Sequence, residues 1–195
     1  MELSNKDKII SSAIKLFSEK GFDGTSVDEI AKDCGVNKAM IYYYFSSKEG
    51  LLNSIIRKSV SEFSSIVDSL DLSKYSSFEE FIGDIISRSI NYIDSRVEVI
   101  KVFFREGFIY GDKIGTTLIE TISLVFDKVI SKVSSVFDLS DSISFIDQSI
   151  LINLVLGYIN FKHFIVDSES AEILKEGYIK RVSKVVKFII SGVVA

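Results

Sequence analysis

Between Val36 and Lys48 the chain places Asn37, Lys38, Ala39, Tyr42, Tyr43, Tyr44 and Lys48 close together and includes no acid. These groups bind rather than react. An asparagine amide can pair with both polar edge atoms of adenine, a lysine can donate to guanine, and an alanine between them lets a helix approach a groove closely. The hydroxyls of Tyr42 and Tyr43 can reach phosphate oxygens. Lys48, in the first turn of the next helix, adds its charge to the open N–H groups there and makes an anion site, and Thr25 and Ser26 offer the same at an earlier helix start. Two neighbours keep two readings each: Met40 meets a thymine methyl or lies in the core, and Tyr44 is a contact or a packing residue at the hinge.

Other chemistry lacks the residues it needs. One cysteine, Cys34, excludes an intramolecular disulfide framework and a multi-cysteine zinc site. A carboxylate-bridged metal pair in a helical bundle needs Glu-x-x-His motifs, and the single histidine, His163, has Asn160 three residues before it. Cys34 sits in a turn far along the chain from His163, so a Cys/His nucleophile pair is not expected. No enzyme activity, metal or cofactor is predicted.

The elements that must hold the binding groups are legible in the pattern. Ile10, Ala13, Ile14 and Phe17 recur at helical spacing and predict a first helix over 5–20, stopped by Gly21 in a Schellman ending that packs Phe22 on Phe17. Ser26 with Glu29 forms a capping box for a second short helix, and Gly35 reverses the chain into a third over 37–45. Ile41 and Phe45 then face inward, against Phe17, Ile30, Ala31 and Val36, and leave Tyr42 and Tyr43 on other faces. Two short helices across a glycine turn read as a helix-turn-helix, whose second helix lies in the major groove.

Ser46 with Glu49 repeats the capping pattern and opens a long helix carrying Leu52, Ile55, Ile56, Phe63, Ile66, Val67 and Leu70. Further helices are predicted over 75–94 (Ser76 with Glu79), 96–109, 113–137, 143–166 and 170–192. The expected architecture is all-α and has about nine helices: a helix-turn-helix domain over 1–46, then a larger helical ligand-binding and dimerisation domain over 47–195. The absence of proline and the presence of only 11 glycines among 195 residues permit long helices, and 47% apolar residues supply a core.

Net charge is −4, so bulk charge does not drive nucleic-acid binding. Residues 1–50 hold seven lysines against eight acids, which predicts few phosphate contacts per subunit and a moderate salt slope. The uncharged run from Gln148 to Phe161 is shorter than the about 20 residues a membrane helix requires, and the start carries no apolar leader, so a cytoplasmic location is expected.

In the later chain Phe63, Phe81, Tyr92, Phe103, Phe104, Phe108, Phe126, Tyr158 and Phe161 form an aromatic interior and are the candidate lining of an effector pocket. Tyr92, Asn153, Tyr158, Asn160 and His163 would supply its polarity, and the uncharged run favours an apolar or weakly polar effector. Helix 143–166 is apolar nearly all round. Ile150, Asn153 and Gly157 on it, with Val182, Val186 and Ile189 on the next helix, are candidates for an intersubunit bundle. The alternative is that both helices cover the core of one chain.

The segment KIISSAIKLFSEKGFDGTSVDEIAKDCGVNKAMIYYYFSSKEGLL resembles the N-terminal domain of the tetracycline-repressor (TetR) family over about residues 8–52. It shares the A-x-x-L-F-x-x-x-G-F start, T-S-V-x-x-I-A, the G-V turn, the Y-x-Y-F end and x-x-K-E-x-L. The resemblance implies a homodimeric nine-helix repressor that binds a palindromic operator and is released by a small molecule. It assigns DNA contact to Thr25, Ser26, Asn37, Lys38, Tyr42, Tyr43, Tyr44 and Lys48. At Tyr43 many members carry a basic residue, so this chain lacks a charge there. A ligand-independent DNA-binding or protein-interaction module of the same architecture is the competing reading.

Overall fold

The computed structural model describes residues 4–109, 120, 123–125, 127–129, 131, 132, 153, 157, 158 and 168–193, and every element among them is helical. In chain order these are α1 (Asn5–Lys20), α2 (Val27–Cys34), α3 (Lys38–Phe45), α4 (Lys48–Asp68), a 3-10 turn at Leu72–Lys74, α5 (Phe78–Ser95), α6 (Val97–Ile109) and α7 (Ser168–Val193). The expected helices over 113–137 and 143–166 fall largely outside the described residues.

Local chemistry sets the helix starts. Ser4 caps α1 by accepting from the Asp7 N–H, and Ser26 and Glu29 cap α2 reciprocally as the sequence predicts. Gly35, left-handed at φ 68° and ψ 30°, closes α2. At α1 the ending differs from the expected Schellman motif. Gly21 has φ 82° but an extended ψ of 167°, although Phe22 still packs on Phe17 with ring centroids 5.3 Å apart.

Both later helix caps are shifted by one residue. Ser46 has φ 65° and ψ −38°, outside the extended region an N-cap occupies, and Ser47 instead accepts the Gly50 N–H at 3.0 Å to start α4. At α5 it is Ser77 that accepts, from the Glu80 N–H at 3.2 Å, while Glu80 reaches back to the Ser76 N–H at 2.8 Å. In each Ser-Ser pair the second serine is the cap.

The chain divides into two compact units, Met1–Glu62 with Arg96–Ile122, and Phe63–Ser95 with Ser123–Ala195. In the first, Ile9, Ala13, Phe17, Ile30, Ile41 and Phe45 form a closed apolar cluster. Leu51, Leu52, Ile55 and Ile56 of α4 and Val99 and Val102 of α6 complete it, so this core draws on residues well past position 46. Burying side chains of this size contributes about 1.5–3 kcal/mol each, which fixes the short α2 and α3 that propensity alone would not hold.

In the second unit α5 packs on α7, with Phe81, Ile82, Ile86 and Ile90 buried on one and Val182 and Val186 on the other. Lys132 donates to the carbonyls of Val67 and Asp68 at 3.0 and 3.1 Å and so caps the end of α4. Lys128 pairs with Asp68 at 2.5 Å.

Candidate nucleic-acid interface

Two inward residues set the orientation of α3. Ile41 is fully buried and Phe45 nearly so, four positions apart, so the helix is seated on the core by one edge. Asn37, Lys38, Ala39, Tyr42, Tyr43 and Tyr44 are consequently exposed, and Tyr43 is 83% exposed. Its ring meets Tyr44 edge-on at 5.2 Å, which stiffens both phenols against rotation. Met40 is half-buried.

Several of the predicted binding groups have work within the fold. The Asn37 Oδ1 caps α3 by accepting the Ala39 N–H at 2.8 Å, so a bidentate adenine contact would have to replace that bond. Ser26 is exposed, with its hydroxyl and N–H both engaged by Glu29 at 3.0 and 2.8 Å. Thr25 is turned inward instead. It is 1% exposed and its hydroxyl donates to the Gly21 carbonyl at 2.8 Å, so it supports the turn and presents no side chain at the face.

Lys48 has also moved from its expected place. Its Nζ donates to the carbonyls of Phe22 and Thr25 at 2.8 and 3.0 Å and lies 4.2 Å from the centre of the Phe22 ring. An ammonium has three donors, and the two carbonyls take two of them. The same turn is held from α6, where Glu106, 2% exposed, accepts the Phe22 N–H at 2.9 Å and Arg105 donates to the Lys20 carbonyl at 3.2 Å. Sequence reading passed over both α6 residues. The available signal was a carboxylate inside the apolar run VFFREGFI.

Exposed ion pairs surround the face. Lys38 on α3 donates to Asp28 on α2 at 2.8 Å, Lys20 to Glu29 at 2.7 Å, and Lys15 to Asp33 at 2.8 Å. The Asp28 hydrogen bond raises the Lys38 ammonium above its usual range. Lys20, then the Ser26 N–H and hydroxyl, lower Glu29 to about 2. Burial pushes the Cys34 thiol up and keeps it protonated. Among the described residues no group of three or more His, Cys, Asp or Glu is placed to hold a metal. Nor is any helix there long and apolar enough to cross a membrane.

The residues expected to line an effector pocket are dispersed. Phe63 and Tyr92 pair at 5.6 Å, Phe81 meets Tyr75 edge-on at 5.3 Å, and the buried Tyr158 lies 5.7 Å from Tyr178, a ring the sequence reading missed. The Asp94 carboxylate stands 3.4 Å from the Tyr158 hydroxyl and 3.6 Å from the Lys175 ammonium. Phe103 packs against the apolar cluster of the first unit. The side chains of Phe104, Phe108, Phe126 and Phe161 lie outside the described residues.

Of the dimer candidates, Val182 and Val186 are already buried within one chain, 4% and 6% exposed, because α5 covers that face of α7. Gly157 allows a close approach within the chain, since a Cβ there would stand 2.7 Å from the Tyr178 hydroxyl. Asn153 is exposed. Ile150 and the Ile189 side chain lie outside the described residues.

Residues 9–55 match the family model of bacterial regulatory proteins, tetR family. The HTH-type negative transcriptional regulator of the biofilm operon icaADBC, IcaR, of Staphylococcus aureus strain Newman is 43% identical over 96 residues, which are 44% of this chain and 50% of that protein. This chain spans about half the length of the curated relatives it matches. Among solved structures, Salmonella enterica GusR aligns with 96% of this chain and 95% of its own at a TM-score of 0.72 and 15% identity. The regulator FadR from Bacillus subtilis, solved in complex with stearoyl-CoA, aligns with 95% of this chain and 98% of its own at 0.66 and 17%. At such identities the likeness is one of fold.

Proposed function

We propose that this chain, whose residues 9–55 match the tetR family of bacterial regulatory proteins, is a homodimeric transcriptional repressor that binds a palindromic operator through α3 and is released by a small molecule. The observation that carries this reading is the division of α3: Ile41 and Phe45 are spent on the core, while Lys38, Ala39, Tyr42 and Tyr43 stand exposed along the first two turns. A tyrosine as exposed as Tyr43 contributes little to the core, and a phenol beside a groove finds phosphate oxygens to donate to.

In this reading Lys38 and Ala39 face base edges, and Tyr42, Tyr43, Tyr44 and the remaining donor of Lys48 grip the backbone. Asn37 reads a base only by giving up its cap, and Ser26 contributes through an oxygen already shared with Glu29. Residues 1–46 read DNA and 47–195 sense and dimerise, in the cytoplasm. Repression is supported by the negative regulator IcaR, 43% identical over 96 residues. The stearoyl-CoA held by the FadR neighbour makes a long-chain acyl thioester the first effector to try.

The test is a footprint on the gene's own upstream region, repeated with long-chain acyl-CoA and a panel of small apolar metabolites. Protection of two half-sites about one helical turn apart, relieved by one of these compounds, is the expected result. Tyr43→Phe should weaken binding to all duplexes alike, and Lys38→Ala should also relax sequence preference. Absence of any sequence-specific protection would overturn the regulator reading.

A further inference from the structure

The pairing of Lys38 with Asp28 bears on specificity. Lys38 opens α3 and stands among the exposed Asn37, Ala39 and Tyr42, while Asp28, in the first turn of α2, has a side chain 71% exposed and reaches across the helix-turn-helix to bond it at 2.8 Å. Of the lysines on this side, Lys20 and Lys15 pair with Glu29 and Asp33, and Lys48 is bound to two carbonyls. Lys38 is therefore the cation of the α3 first turn, and it carries a carboxylate with it.

Resting on the DNA-reading role of α3, we infer that Asp28 is a specificity-determining positioning residue, which holds Lys38 for a base edge and withholds its charge from the phosphate backbone. Non-specific affinity follows the number of phosphates a protein neutralises. A lysine already matched by a carboxylate adds no net charge to that count, and the carboxylate itself repels the backbone. An exposed pair is weak enough to be exchanged or shared when a guanine acceptor arrives within hydrogen-bonding distance. The selected sequence recovers the lysine's hydrogen bonds and a random one does not, so Asp28 widens the gap between them.

The experiment uses the full-length protein, an operator selected from random DNA, and a scrambled duplex of the same composition. Affinities are measured over a salt series for the wild type, Asp28→Asn, Lys38→Ala and the double variant. Asp28→Asn should tighten binding to the scrambled duplex several-fold, with a smaller change on the operator. Its log affinity should fall more steeply with log salt, by about 0.9 per protomer, because one further phosphate is neutralised. Asp28→Glu should restore the wild-type slope. In the Lys38→Ala background, Asp28→Asn should leave the operator-to-scrambled ratio unchanged.

An equal gain on both duplexes would mean that Asp28 acts by overall charge alone and would overturn the inference. An unchanged ratio and slope in Asp28→Asn would do so as well. A wild type that cannot tell the two duplexes apart would instead remove the DNA-reading role on which the inference rests.

Discussion

The corner between α3 and α4 and the packing of α5 on α7 both bring helices together, at opposite levels of tolerance. At the corner the chain turns through Ser46 at φ 65°, with the Ser47 N–H donating back to the Phe45 carbonyl at 2.7 Å, a γ-turn of the rare positive-φ kind. A Cβ on Gly50 would stand 2.0 Å from that same carbonyl oxygen. Between α5 and α7 a Cβ on Gly83 would meet Ser183 Oγ at an ordinary 3.9 Å, and Gly177 has open space around it. α3 is thus joined to α4 by backbone with no slack, whereas α7 lies on α5 by side-chain contact that leaves room. Backbone strain persists only where the surroundings over-determine it, and here the determinants are Phe45 in the core below and α4 beginning directly after.

Breaking the tight side of this comparison should give the largest effect. Gly50→Ala drives a methyl into backbone that neither α3 nor α4 can move without unseating Phe45. A loss of about 3 kcal/mol is expected, at the upper end for overpacking. Chemical denaturation followed by circular dichroism reads it, and a variant within about 1 kcal/mol of wild type would show that the corner yields. Operator affinity should fall with it, since α3 loses its fixed angle.

Ser46→Gly tests the same corner from the other direction. Glycine takes φ 65° without steric penalty but brings a more flexible unfolded chain, so a net gain of up to about 1 kcal/mol is expected. A loss would mean that the Ser46 side chain, and not the turn geometry, holds the junction.

How much of this was legible in the sequence follows from the range over which each feature is encoded. The limits of α1, the Ser26–Glu29 box, the Gly35 turn and the inward pair Ile41 and Phe45 depend on neighbours three or four positions away, and the pattern shows them. The γ-turn at Ser46 has no residue-type signature, because it sits on a serine, and the cap was accordingly placed one residue early. Thr25 and Lys48 have residue types that fit anion binding, and the pattern does not show that the fold also engages them. What engages them are the Gly21, Phe22 and Thr25 carbonyls, whose position depends on α4 and α6 closing over the α1–α2 turn. Helical periodicity marked Val182 and Val186 as apolar without showing that they are buried within one chain, on a helix that packs against α5.

On the tolerant side, Gly177→Ala should act with the opposite sign to Gly50→Ala. The position is exposed, interior to α7 and unobstructed, so alanine removes backbone freedom from the unfolded chain at no steric cost. A gain of about 0.5–1 kcal/mol is expected. Equal losses at Gly50 and Gly177 would erase the contrast between corner and pair.

The smallest effects expected are in pH, and they fall at opposite ends of the scale for the two units. In the first, Glu29 is lowered from 4.5 to about 2, by the Lys20 hydrogen bond foremost and then the Ser26 N–H. A depressed carboxylate stabilises fully above its unfolded value, and that contribution is lost as pH falls from about 4.5 towards about 2. In the second unit Tyr75 is raised from 10.0 to about 12, by burial first and then by the Asp84 carboxylate to which its hydroxyl donates at 2.5 Å. A raised group stabilises fully below its unfolded value, so this contribution fades as pH climbs from about 10 to about 12. Glu29→Gln should flatten the acid limb of the stability profile and leave the alkaline limb alone, and Tyr75→Phe should do the reverse. Because each group is local to its own helix start or turn, a variant that altered both limbs would show that neither titration belongs to the unit it sits in.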